Sequence, residues 1–423
     1  MGVFEDFSAR GCLYQVTDPG LGKSLDKGRM VFYAGFDPTA NSLHVGNLLV
    51  IMGMVRLQAA GHKPIGVCGG GTGLIGDPSG KSKERPLLLR EDMEKNLAGI
   101  RGQLEKFLDF SAGPSQAVMV NNLDWLGTLN LIDFLREVGK HFRVNEMIAK
   151  ESVKQRLLGE EGMSFTEFCY QLLQAYDFYH LCREFNCRLQ VGGSDQWGNI
   201  TAGIDLIRRL LQKDAYGLTF PLVTSSTGAK FGKSEQGTVW LDAKRTSPYQ
   251  FYQYWIQADD RDVVKYLKYF SRASLEEIAA LEELVKTAPE KREAQRKLAL
   301  EMTALLHGKT AALEAEKASQ SLFSARLEHL TDQELLAAFQ QAPSYSVTRA
   351  ELEAGIGIID LLLAAKAFAS RGEAKRKISE GGVYLNNQKL DDQNYALTPK
   401  DLASEHFLVL RTGKKKYFLV KAG

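Results

Sequence analysis

Four groups of side chains in this 423-residue sequence have types and spacing suited to phosphate chemistry on a polar ligand. His44-Val-Gly46-Asn47 stands where a strand is expected to turn into a helix. Its polar groups then lie beside free N–H groups and the positive end of a helix dipole, a natural phosphate site. Gly46 removes a side chain where a ligand would approach. Lys81, Lys83 and Arg85 follow a glycine-rich stretch and could reach a polyphosphate. Lys230-Phe-Gly-Lys233-Ser234 sets two lysines three apart in a segment whose Gly, Ser and Thr content reads as a mobile loop. Tyr170, Gln174 and Asp177 fall at i, i+4 and i+7 on one helix face. Phe165, Phe168, Leu172, Leu173, Phe178 and Leu181 surround that face, so it is expected to be buried and to need polar partners. Taken singly, each group also fits a solvated loop or an ordinary core edge.

The elements that must position these residues follow from periodicity and punctuation. Met30, Val31 and Phe32 form a β-branched and apolar run that reads as a buried strand, broken by Asp37-Pro38 and Asn41-Ser42. A helix is expected from Val45 to about Ala60, then a strand over Pro64–Cys68. Gly71 to Gly76 spells the dinucleotide fingerprint, but Asp77-Pro78-Ser79-Gly80 is a turn where that motif needs a helix. The near P-loop ending at Ser82 fails too, because Ile75 occupies a required glycine position. Residues 91–110 read as helix, and Ala117–Val120 as a short strand ending at Asn121-Asn122. Trp125 to Phe142 has helical spacing, with Leu131, Phe134, Leu135 and Val138 expected in the core or at a subunit contact. Ser164–Glu167 is a capping box opening a helix to about Phe185. Leu189–Val191 is the next strand, followed by Gly192 to Asn199 and another helix. Four strand–loop–helix passes predict an α/β doubly wound parallel sheet with ligand across its carboxyl edge.

Residues 247 to about 325 change to amphipathic helices, 330–347 read as a looser connection, and the tail from Thr348 reads as two helices and short strands. Between Lys366 and Lys421 there are 12 basic and 6 acidic residues, clustered around Arg371–Lys377 and Arg411–Lys416. Such a patch suits a phosphate backbone, or a solvated surface. The net charge of +2 and the 44% hydrophobic content are ordinary for a globular protein, so a nucleic-acid role has to come from local clusters. Five cysteines without a Cys-x-x-Cys pair favour buried thiols in a reducing cytoplasm over disulfides or zinc. No apolar run reaches the roughly 18 residues of a membrane span, and no secretory signal opens the sequence.

With these pieces assembled, the sequence resembles the bacterial-type tyrosyl-tRNA synthetases along essentially its whole length. His44-Val-Gly46-Asn47 is similar to the class I His-Ile-Gly-His signature, and Lys230-Phe-Gly-Lys233-Ser234 to Lys-Met-Ser-Lys-Ser. Asn47 and Phe231-Gly232 depart from those patterns. The tail, through Ser370–Lys377 and Gly382–Asn386, resembles the S4-type RNA-binding module. The resemblance implies a Rossmann-like catalytic domain over 1–235, a helical domain over 247–328 and an S4-like domain over 348–423. It implies His44, Asn47, Lys230, Lys233, Lys81 and Arg85 as the catalytic set. It implies Tyr33, Asp77, Tyr170, Gln174, Asp177 and Gln196 around tyrosine. Gly35, Asp37, Gly46, Gly192 and Asp195 join His44, Asn47 and Lys233 around ATP, and Arg371, Lys375, Lys377, Lys414 and Lys415 meet tRNA. The implied partners are L-tyrosine, ATP with its Mg2+, tRNA(Tyr) and a second copy in a homodimer, with no protein-bound metal and no membrane. A relative activating another aromatic amino acid, and a non-catalytic RNA-binding paralogue, are the alternatives.

Overall fold

Six short strands, the central ones mostly buried, build one sheet: β1 (Gln15–Val16), β2 (Val31–Phe36), β3 (Lys63–Cys68), β4 (Val118–Asn121), β5 (Cys187–Gly193) and β6 (Tyr216–Phe220). This is a computed structural model describing residues 1–79, 90–159, 162–226, 228, 231–234, 237–323, 331–332, 335–336, 339, 342–413 and 416–423. The strand order is β1-β6-β5-β2-β3-β4, parallel throughout except for the β1–β6 pair. Winding runs outward from β2 through β3 to β4, and from β5 to β6 on the other side. The crevice at the carboxyl ends of β2 and β5 is therefore the topological switch point where such sheets bind ligands.

The crossover helices are α1 (Leu48–Ala59), α2 (Arg90–Leu104), α3 (Phe165–Phe185) and α4 (Trp197–Leu211). Val45–Asn47 forms a 3-10 turn, so the α-helix expected from Val45 starts at Leu48. Ser164 caps α3 by accepting from Glu167 N–H at 3.2 Å. The Glu167 carboxylate pairs with Arg156 at 2.7 Å, both side chains buried, where the capping box had it reaching back to Ser164. The expected helical stretch Trp125–Phe142 is broken into Leu123–Leu126, Leu131–Glu137 and a 3-10 turn, Gly139–His141. Val138 is buried there, but Leu131, Ile132 and Leu135 are exposed, as is Phe165, which was expected beside the polar face of α3.

By its contacts the chain forms two units, Met1–Thr246 with Ala258–Leu298, and Ser247–Gln257 with Ala299–Gly423. The helical stretch comprises α5 (Pro248–Ile256), α6 (Asp260–Phe270), α7 (Leu275–Thr287), α8 (Glu293–His307) and α9 (Lys309–Phe323), and supplies both units. In the second unit, α5 packs on α9, with Gln253 donating to Ser319 at 2.9 Å. Beyond them lie β7 (Ser344–Val347), α10 (Arg349–Ala354), α11 (Ile358–Ala364), α12 (Arg371–Ser379), β8 (Val383–Leu385), β9 (Gln388–Lys389), β10 (Phe407–Thr412) and β11 (Lys416–Ala422). Their sheet runs β9-β8-β10-β11-β7, with β11 and β7 parallel. The looser connection expected at 330–347 thus ends in a strand. Leu352, Leu361, Ile378, Val383, Leu408 and Val420 share its core. Among the described residues no helix is long and apolar enough to cross a membrane.

Candidate functional site

At the switch point, a chain of hydrogen bonds runs through buried and half-buried side chains on α3 and at the ends of the strands. Asp177, at 3% exposure on α3, accepts from Trp125 Nε1 at 2.7 Å and from Asn122 Nδ2 at 2.8 Å. Asn122 also donates to Thr72 Oγ1 at 2.9 Å and accepts from Gly71 N–H at 2.7 Å. Thr72 donates to Asp37 Oδ1, and Tyr170 OH donates to Asp37 Oδ2, each at 2.8 Å. A Cβ at Gly69 would stand 2.0 Å from Asp37 Oδ1, so the glycine-rich stretch makes room for this chain.

The electrostatics follow from burial. Burial pushes the Asp177 carboxyl up to about 7, with the Asp37 charge adding to the effect and the Asn122 and Trp125 donors opposing it. Burial, and then the Asp177 charge, hold the Tyr33 phenol well above its ordinary range. Burial does the same to Tyr170, reinforced by Asp37 and Asp77. Among the described residues, Tyr33 OH and Gln174 Oε1 are buried with no hydrogen-bond partner. Such groups cost about 1–3 kcal/mol each, a cost that a polar ligand removes. Gln174 donates to Gln196 at 3.3 Å, and Gln196 to Asp77 at 2.7 Å. Asn199 donates to Gln196 and to Ser79, extending the polar set along α4.

The His44–Asn47 signature is organised by its own backbone. His44 Nδ1 accepts from Gly46 N–H at 3.0 Å, which puts the proton of a neutral ring on Nε2. Asn47 Oδ1 accepts from His44 N–H at 3.1 Å, leaving its amide NH2 as the donor. A Cβ at Gly46 would lie 2.7 Å from His44 Cε1, so the space expected for a ligand is taken by the imidazole. Val45 N–H donates to Val239 O at 3.0 Å, and Val239 N–H donates to Gly232 O at 2.9 Å. Gly232 has φ +82, which favours glycine, and a Cβ there would sit 3.0 Å from Val45 Cγ2. One residue, Val239, therefore stitches the two signatures together, and Gly232 answers a steric demand.

The structure gathers Tyr33, Asp37, Asp77, Tyr170, Gln174, Asp177 and Gln196 into one connected region, with Asp195 beside Gln196 (3.4 Å). Gly35, one residue before the end of β2, has open space where a Cβ would stand, while a Cβ at Gly192 would meet Gln196 at 3.2 Å. Lys233 is exposed and pairs in register with Thr238. Lys81, Arg85, Lys230, Lys414 and Lys415 lie outside the described residues. In the second unit Lys375 is exposed, Lys377 pairs with Glu380 at 2.6 Å, and Arg371 pairs with Asp360. Asn122, Thr72 and Trp125 were missed as site residues. The one available signal was Asn121-Asn122 at a strand's end. A separate recess of about 60 Å³, lined by residues including His141, Arg143, Lys150 and Arg209, shares none of these side chains.

Known proteins share this sequence and this fold. The family model for tRNA synthetases class I (W and Y) matches residues 25–324, and that for the tyrosine–tRNA ligase SYY-like C-terminal domain matches 334–420. The tyrosine–tRNA ligase of Bacillus velezensis is 51% identical over 421 residues, covering 99% of both chains. That of Geobacillus stearothermophilus is 50% identical over 423 residues and 100% of both. Among solved structures, a C-terminally truncated Aspergillus nidulans mitochondrial tyrosyl-tRNA synthetase has a TM-score of 0.69 at 31% identity, covering 76% of this chain and 94% of that one. A Plasmodium falciparum tryptophanyl-tRNA synthetase shares the fold at 14% identity and a TM-score of 0.54, covering 79% of this chain and 87% of that one.

Because the folded Asp177 is held near 7 and an unfolded aspartate titrates near 3.9, the native state binds the extra proton between those values. Its contribution to stability is present at low pH and is lost as pH climbs through about 7. The unfolding free energy of Asp177→Asn relative to the parent should therefore rise from pH 5 to pH 8, by at most about 1.4 kcal/mol per pH unit. Urea unfolding across that range checks it; a flat difference contradicts the burial argument.

Proposed function

From the premise that this chain belongs to the tyrosine–tRNA ligases of class I, we propose how its residues divide the reaction. The enzyme activates tyrosine with ATP and transfers it to tRNA. The observation that carries the assignment of residues is the buried, unpartnered Tyr33 OH close to Asp177, at one end of the hydrogen-bond chain. A substrate phenol between Tyr33 and Asp177 supplies the missing partner. Tyr170 and Gln174, with Asp77 behind Gln196, take the substrate amino group. Gly35, Asp37, Gly192 and Asp195 hold the adenylate's ribose and backbone region.

The substrate carboxylate attacks the α-phosphate of ATP in line, so the protein needs no nucleophile or base. It has to hold both reactants and neutralise charge growing on pyrophosphate. The Nε2–H of His44 and the amide NH2 of Asn47 are donors at the helix end, and Lys233 adds a cation. Lys81, Arg85 and Lys230 are assigned to the same task from sequence. ATP arrives with Mg2+ as part of the substrate.

A homodimer is the assembly we infer. Leu131, Ile132, Leu135, Val144 and Ile148 leave 43–68% of their surfaces exposed within one short stretch, an apolar face suited to a second copy. Five free cysteines fit a cytoplasmic setting.

Pyrophosphate exchange with tyrosine, phenylalanine and tryptophan side by side tests the pocket. Exchange should require tyrosine. Tyr33→Phe should narrow the tyrosine-to-phenylalanine ratio by about tenfold or more, since it removes a hydrogen bond made only with the phenol. A folded Tyr33→Phe variant with an unchanged ratio rules the placement out. Lys375→Glu should weaken tRNA binding and flatten its salt dependence while leaving exchange untouched, because only the polyanion reads that charge. Filter binding across a salt series measures it. Ile132→Glu should shift sedimentation toward the monomer, and an unchanged dimer would place the interface elsewhere.

A further inference from the structure

Phe231 of the second signature, and Ser226 ahead of it, meet one face of a helix outside the sheet. Asp262, Tyr266 and Phe270 of α6 are spaced at i, i+4 and i+8, so they align on one side of it. The Asp262 carboxylate, 3% exposed, accepts from Ser226 N–H and Ser226 Oγ–H, both at 2.8 Å. Lys265 Nζ donates to Asp262 at 3.1 Å and to Thr224 O at 2.7 Å, tying down the same segment. Farther along, the Phe231 ring stacks on Phe270, with centroids 5.5 Å apart and planes 6° apart, and leans on Tyr266 at 5.3 Å. Gly232 and Lys233 follow directly, with Gly232 against Val45.

The far end of α6 is braced. Arg56 of α1 donates to the carbonyls of Tyr269 at 2.8 Å, Ser271 at 2.9 Å and Lys268 at 3.3 Å. Arg10 donates to Ala273 O at 2.9 Å and pairs with Asp6 at 2.8 Å. These guanidinium groups satisfy carbonyls that a helix end leaves open, and they complement its negative dipole end. Helix α1 begins at the His44 turn, so the strut that carries the second signature is fastened to the helix that carries the first.

We propose that the Asp262–Tyr266–Phe270 face is a track that fixes the reach of Lys233 in adenylate formation, which makes Asp262 and Phe231 positioning residues. The inference rests on the role given to Lys233 above. Neither residue touches substrate in this scheme; each acts by holding Ser226 or the start of the Phe231–Lys233 segment. A misplacement of about an ångström at a charge-stabilising group is enough to cost up to 10²-fold in rate.

The test is a double-mutant cycle on the full chain, read by pre-steady-state tyrosine activation and by the tyrosine dissociation constant. Asp262→Asn and Phe231→Leu should each slow activation by about tenfold or more, with the tyrosine dissociation constant unchanged. In a Lys233→Ala background each should add less than about a twofold loss, because the group they position is gone. If the losses multiply in full, or if tyrosine affinity falls in step with rate, the track is only scaffold and the proposal is overturned. If Lys233→Ala alone leaves activation normal, the assignment of Lys233 fails and this inference falls with it. Loss of exchange with tyrosine in the parent protein would instead overturn the functional reading. Should Asp262→Asn fail to fold, Ser226→Ala removes one of the same two hydrogen bonds and takes its place in the cycle.

Discussion

A carboxylate buried to 3% exposure has to be surrounded by donors, and Asp177 sets terms for much of the catalytic unit. It draws Trp125 Nε1 and Asn122 Nδ2 onto its two oxygens. Asn122 can serve only if β4 is paired with β3 in parallel, which places the end of β4 beside Gly71 and Thr72. Thr72 in turn reaches Asp37 at the end of β2, and Asp37 fixes Tyr170, two turns back along the helix that carries Asp177. The polar pocket and the order of the sheet are thus one constraint seen from two sides. Removing any central link strands a buried polar group, which costs more than the bond itself contributes.

The two signatures obey a different constraint, that of the backbone. They are far apart in sequence, yet the amide and carbonyl of Val239 join Gly232 to Val45. Lys233 sits on a ribbon whose geometry is set by main-chain bonds, with side chains added at its edges. The His44 ring is held at Nδ1 by Gly46 N–H, so a neutral ring has its proton on Nε2. Placing donors before substrate arrives is what lets electrostatic stabilisation act without reorganisation.

Much of this was legible before any coordinates. Helix α3 was readable because Ser164 caps one end and its polar residues recur at helical spacing; Asn186, at φ 52, closes the other end. The strand ends carrying Tyr33, Asp37 and Asp195 were readable because glycine and polar residues punctuate β-branched runs. Asn122 and Trp125 were not recognised, since their roles exist only through pairings between distant strands and a distant helix. Leu131 and Leu135 misled because helical spacing shows that one side is apolar without saying what covers it. Glu167 misled in another way: its local capping role yielded to Arg156, a charged partner available only in the folded chain. Strand β7, Ser-Tyr-Ser-Val, was invisible because two of its four residues are serines and, among the described residues, its one ladder is with β11.

That ladder has a consequence for how the protein is made. In the second unit's sheet, β11 (Lys416–Ala422) lies between β10 and β7. Its register pairs Ala422 with Val347, and Gly423 donates to Val347 O at 3.0 Å. A ribosome delivers residues in order, so β7 emerges long before the strand that must complete it. Throughout that interval Ser344–Val347 has no ladder partner, and β10 keeps an open edge with Leu408 and Leu410 in the core next to it. The sheet cannot close until β11 has been polymerised. A nascent chain stalled ahead of Lys416 would carry a second unit whose sheet is unfinished and has a sticky edge. For this unit, closing the sheet waits on the synthesis of β11.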